Sequence, residues 1–132
     1  MQDIYLDFNA TTPVASEVLD AMLPWLGGRF GNPSSDHAIG RDARKAVEQA
    51  RGEVAALIGA RPNEIVFTGG GTEASNLAIR GGLPAGRPAI LTSTIEHPAT
   101  EACCTLLEAR GHRVSRIGPD ADGILDVARA VD

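Results

Sequence analysis

The sequence predicts an α/β fold of βαβ units with a parallel or mixed sheet. Two observations carry this. Short apolar runs at residues 64–67, 89–92 and 112–117 alternate with stretches of helical periodicity. The strand, helix, strand, helix, strand order at these spacings makes right-handed crossovers. Ligands of such sheets bind beyond the C-terminal strand ends. Gly71-Thr72 and His97 fall at two such ends, on successive strands.

The stretch Phe67-Thr68-Gly69-Gly70-Gly71-Thr72-Glu73-Ala74-Ser75-Asn76 organises the chain. Residues 64–67 read as a buried strand and 73–80 as a helix, with Leu77 its main buried residue. Consecutive glycines permit a sharp turn and leave no Cβ in the way. Unpaired N–H groups, reinforced by the helix dipole, then face the strand end and suit an anion, phosphate above all. The same pattern also serves as a plain strand–helix turn. It is neither G-x-G-x-x-G nor a Walker loop, because no Gly-Lys-Ser/Thr follows. The anion it suits is a simple phosphate monoester.

The 132 residues suffice for one domain with a core. The hydrophobic share is 43% and the aromatic share only 4%, so Ala, Val, Leu and Ile must build that core. A net charge of −5 without a basic run argues against nucleic-acid binding and anionic membrane surfaces. No apolar run approaches the ~20 residues of a membrane span. Met1-Gln2-Asp3-Ile4 lacks the basic start of a secretory signal. The adjacent Cys103 and Cys104 point to different faces of a helix and do not pair, which indicates a reducing, cytoplasmic setting. No metal site is expected. Lys45 is the only lysine.

In chain order, residues 4–8 suit a short strand, broken by Asn9-Ala10-Thr11-Thr12-Pro13. Ser16 suits a helix cap ahead of Val18, Leu19, Met22 and Leu23, and Pro24 ends or kinks that helix. Ser35 or Asp36 should cap the longest helix. Its apolar stripe is Ile39, Ala43, Val47, Ala50, Val54, Leu57 and Ile58, and Gly59 is its stop. Pro98 fits the first turn of a helix with Cys103, Leu106 and Leu107 that stops at Gly111. Asp122-Gly123 makes a turn, and a further element starts at Ile124. Read without context, His97 suits a helix cap, His37 a local hydrogen bond at a helix start, and His112 a structural place. The two cysteines lie on an apolar helix, where buried thiols are inert.

Four segments, in this order, resemble one family. They are Tyr5-Leu6-Asp7-Phe8-Asn9-Ala10-Thr11-Thr12-Pro13, Gly31-Asn32-Pro33-Ser34-Ser35 with His37 and Gly40, Thr68 through Asn76, and Glu96-His97-Pro98-Ala99. The chain is similar to the cysteine desulfurases, class V aminotransferases of fold type I that use pyridoxal 5'-phosphate (PLP). The likeness runs from Tyr5 to Asp126. It implies an incomplete fold type I large domain, with residues 1–14 near the substrate side and 15–132 as part of the PLP-binding domain. It also implies that Gly71 and Thr72 hold the cofactor phosphate. His97 would stack on the pyridine ring and move protons at the substrate. Asn9, Ala10, Thr11, Asn32 and His37 would belong to the substrate side and the region of the dimer interface. The implied reaction converts L-cysteine to L-alanine and passes sulfur to an enzyme cysteine, for iron–sulfur cluster or thio-cofactor supply. The implied assembly is a homodimer served by a sulfur-acceptor protein.

The family's cofactor-bonding lysine, ring-nitrogen aspartate, sulfur-accepting cysteine and carboxylate-binding arginine lie beyond the position of Asp132. Lys45, on the polar side of a helix, does not replace that lysine. The expectation is an N-terminal part of such an enzyme, inactive alone. One alternative is a selenocysteine lyase or other class V aminotransferase, which the sulfur-acceptor loop would distinguish. Another is a non-catalytic module for dimerisation or partner binding.

Overall fold

The computed structural model describes residues 4–86, 88–126 and 128. Contacts divide the chain into two units, one reaching to Val66 and the other starting at Phe67.

The first unit holds α1 (Ser16–Leu26), α2 (Ala38–Leu57) and a 3-10 turn, Pro62–Glu64. Ala15, not Ser16, has the cap position of α1, and the Ser16 hydroxyl turns to Glu17 at 3.1 Å. Pro24 lies inside α1 rather than ending it. So close to the helix end, it forfeits only one backbone bond. Val18, Leu19, Met22 and Leu23 remain exposed. Trp25 is half-buried beneath the Arg29 guanidinium, 4.8 Å from the ring centroid.

Helix α2 is capped by His37, whose Nδ1 accepts the Gly40 N–H at 3.2 Å. Ser35 and Asp36 do not serve, because Ser35 belongs to the preceding turn: its N–H donates to the Asn32 carbonyl at 3.0 Å. That turn packs directly on Gly40. A Cβ there would come within 2.7 Å of Ser35 Cβ and 2.8 Å of the Asn32 carbonyl. The helix stops at Gly59, as its sequence predicts. Gly59 has φ 68°, and the Ala60 N–H returns to the Ala55 carbonyl at 2.8 Å. Ala43 and Ala55 are buried, while Ile39, Val54, Leu57 and Ile58 of the predicted stripe stay exposed.

Neither residues 4–8 nor 64–67 join a ladder among the described residues. Ile65 has an extended backbone, but Val66 and Phe67 remain exposed. A strand needs a neighbour for its hydrogen bonds, and apolar pattern alone does not supply one.

The second unit holds α3 (Gly71–Gly81), β1 (Ile90–Ser93), α4 (Pro98–Ala109) and β2 (Val114–Ile117). The strands pair in parallel, Ile90 with Val114 through Ser93 with Ile117, and α4 is the crossover. Buried Cys103, Cys104 and Leu107 of α4, with Ser93 of β1, form the core. Leu77 is 52% exposed and not the buried residue its spacing suggests. Helix α4 ends as α2 does, with Gly111 at φ 90° and the His112 N–H on the Leu107 carbonyl at 3.1 Å. His112 Nδ1 lies 3.4 Å from the Pro88 carbonyl, a structural contact. Arg116 of β2 bridges Glu101 and Glu108 of α4 at 2.8 and 3.2 Å. The Asp122-Gly123 turn forms, with the Asp120 carboxylate accepting the Asp122 and Ile124 N–H groups. Most of the element expected after Ile124 lies outside the described residues.

Candidate functional site

Gly70 occupies the cap position of α3, and Gly71 is its first helical residue. A helix start leaves four N–H groups without intrahelical partners. Here they belong to Gly70, Gly71, Thr72 and Glu73, and none meets an acceptor among the described residues. The first closed bond runs from the Ala74 N–H to the Gly70 carbonyl at 3.0 Å. A Cβ on Gly70 or Gly71 would find no atom within 4 Å, so the backbone at the first two of these donors is uncrowded. The loop is braced from both sides. Thr68 Oγ1 donates to the Gly70 carbonyl at 3.1 Å, and Gly69 N–H donates to Glu73 Oε2 at 2.6 Å.

The end of β1 supplies the second half of the site. Buried Ser93 donates its hydroxyl to Glu96 Oε1 at 2.7 Å, and the Thr94 N–H reaches the Ile117 carbonyl at 2.9 Å. These bonds hold the turn that presents His97. His97 caps α4 by accepting the Ala99 N–H on Nδ1 at 3.1 Å. A nitrogen that accepts carries no proton, so in the neutral ring the proton sits on Nε2.

A cavity of about 280 Å³ is lined by Gly71, Thr72, Ser75 and His97. The start of α3 and the histidine, far apart in sequence, thus share one space within one unit. The donors suit an anion, and the imidazole offers a flat partner for a ring. Sequence reasoning does not single out Ser75. Its signal is spacing, since it lies one turn beyond Gly71 once the helix starts there.

The other expected residues lie in the first unit. Asn9 and Ala10 form a turn in which the Ala10 N–H reaches the Asp7 carbonyl at 3.0 Å. The Tyr5 hydroxyl lies 2.8 and 3.2 Å from the Asp7 and Thr11 carbonyls. Asn32 Oδ1 accepts the Ser34 N–H at 2.9 Å, and His37 is the α2 cap. Lys45 is exposed on α2. Both cysteines are free and buried, and burial pushes the Cys104 thiol up, opposed by a hydrogen bond with Thr92.

The family profile described as aminotransferase class-V matches residues 4–132. The chain belongs to the class V aminotransferases. Among its class V relatives, the cysteine desulfurase IscS of Dictyoglomus turgidum is 44% identical over 95% of this chain and 32% of its own length. A cysteine desulfurase of Cereibacter sphaeroides is 52% identical over 96% of this chain and 34% of its own length. A solved structure described as "SspA in complex with cysteine" superposes with a TM-score of 0.87 at 40% identity, covering 96% of this chain and 37% of that one. The chain therefore spans about a third of the length of the curated relatives it matches. Its fold is part of the fold type I α/β architecture. Class V aminotransferases depend on PLP. The residues present fit that group: open N–H donors and a hydroxyl for the phosphate, and a flat ring on the same cavity.

Proposed function

We propose that this chain supplies the phosphate loop and the ring-facing histidine of a cysteine desulfurase. The observation that carries the reading is the single cavity where Gly71, Thr72 and His97 meet. The likeness to cysteine desulfurases supports the substrate class. PLP, when bound, supplies the electron sink for bond changes at the amino-acid carbons. The N–H groups of Gly71 and Thr72, with the Thr72 hydroxyl, hold the phosphate. His97 stacks against the ring and keeps a proton on Nε2, where it can be given to the substrate. L-cysteine and an enzyme thiol then give L-alanine and an enzyme persulfide, a balanced exchange that needs no outside oxidant. Cys103 and Cys104 are buried, so the accepting thiol belongs elsewhere in the whole protein.

On this reading Asn9, Ala10, Thr11, Asn32 and His37 serve the substrate side, with residues 1–14 next to it and 15–132 in the large domain. The whole enzyme is a cytoplasmic homodimer that passes sulfur to an acceptor protein. Among the described residues no helix is long and apolar enough to cross a membrane.

A chimera carrying this chain in place of the matching third of the Dictyoglomus turgidum relative tests the proposal. L-cysteine should yield alanine and, with a thiol reductant, sulfide, both dependent on PLP. A folded chimera active only on selenocysteine would make the chain part of a selenocysteine lyase. One that retains PLP and acts on neither amino acid would leave a non-catalytic module.

A further inference from the structure

A dianion at the start of α3 has an awkward neighbour, because Glu73 brings a carboxylate into the same first turn. The geometry shows where that charge goes. A glutamate at the third helical position commonly reaches back to the N–H of the cap residue. Glu73 instead reaches one residue further, to the Gly69 N–H at 2.6 Å. Its carboxylate therefore takes none of the four donors of Gly70, Gly71, Thr72 and Glu73. The contact is close: a Cβ on Gly69 would stand 3.1 Å from Oε2. Gly69-Gly70-Gly71 is otherwise a segment with much conformational freedom to lose when an anion binds. One charge-assisted bond from its first residue to the helix removes part of that freedom in advance.

We propose that Glu73 is a positioning residue of the anion loop, bracing Gly69 so that the donors at the start of α3 are preset for phosphate. The proposal rests on the reading of Gly71 and Thr72 as a phosphate site. It assigns Glu73 a role opposite to the one its charge alone suggests, since bare repulsion would make it a hindrance to the anion.

The test titrates inorganic phosphate into the isotopically labelled 132-residue chain and follows the Gly71 and Thr72 amide resonances, with Gly69 amide exchange recorded alongside. Glu73→Gln keeps an oxygen acceptor and loses the charge. Glu73→Asp keeps the charge and the acidic first turn, but is too short by a methylene. Glu73→Ala loses both. Positioning predicts that Gln binds phosphate at least as tightly as the parent. Asp and Ala should bind about 3- to 10-fold more weakly, less than the loss of a whole charge-assisted bond because the brace acts on the donors indirectly, and their Gly69 exchange should quicken. Should Ala fail to fold, the Gln and Asp pair still decides. If Asp binds like the parent, or if Ala binds as tightly or more tightly, the positioning role is overturned while the phosphate site stands. If phosphate leaves Gly71 and Thr72 unmoved in the parent, the phosphate reading fails and the proposal falls with it, whatever Gly69 exchange reports.

Discussion

His97 commits one ring nitrogen to the fold. Nδ1 caps α4 through the Ala99 N–H, while the residue also lines the cavity shared with Gly71 and Thr72. The helix cap is observed, and it occupies only Nδ1, so it is compatible with the ring-partner role proposed above. Arg116 is the other residue with a readable electrostatic role. Its guanidinium holds the Glu101 carboxyl below its ordinary value, chiefly through their hydrogen bond. A depressed carboxyl stabilises the fold above its unfolded value, near 4.5, and that contribution is lost as pH falls through the lower folded value. Arg116→Met should therefore lower the melting temperature near neutral pH and flatten its fall on the acid side. Glu17 and Glu64 are shifted the same way, so some acid slope remains. Melts between about pH 3 and about pH 7 check this. A loss equally large at both ends would assign Arg116 a packing role instead.

Helix ends were legible because their chemistry is local. Pro98, Gly59 and Gly111 do what their residue types predict. Strands at 4–8 and 64–67 were not, because a ladder depends on a partner distant in sequence. Capping fails in between: Ser35 has the right side chain, but its backbone is committed to the Asn32 turn packed on Gly40. The same logic gives opposite signs for two glycines in and after α2. Gly52 lies mid-helix, and a Cβ added there would meet no atom within 4 Å, so Gly52→Ala should stabilise by about 0.5–1 kcal/mol. Gly59 sits at φ 68°, where a Cβ is disfavoured, so Gly59→Ala should cost about 1–2 kcal/mol. Denaturant titration of both variants checks the pair, and shifts of equal sign would contradict it.

For the whole molecule, the sequence places Gly71-Thr72 and His97 at successive strand ends; residues 64–67 join no ladder among the described residues, yet the two halves still line one cavity. The glycine loop and His97 each carry a local pattern, but Ser75 joins them only once the helix is known to start at Gly71. Leu77 shows the same limit for burial, since its spacing is apolar while its surface stays open. Asn9, Ala10, Thr11, Asn32 and His37 lie in the other unit, and their local bonds account for their present conformations without invoking a substrate. On the proposed function, Thr72 and His97 serve one cofactor in different ways. In the chimera, Thr72→Val removes a donor to phosphate. His97→Asn removes the ring while keeping a side-chain acceptor for the α4 cap. Cysteine-dependent sulfide release, titrated with PLP, separates the two roles. Thr72→Val should need about 10- to 100-fold more PLP and recover at saturation. His97→Asn should stay about 10²–10⁴-fold slow with PLP saturating. Rescue of His97→Asn but not Thr72→Val by excess PLP, or indifference to both substitutions, would overturn these roles for Thr72 and His97.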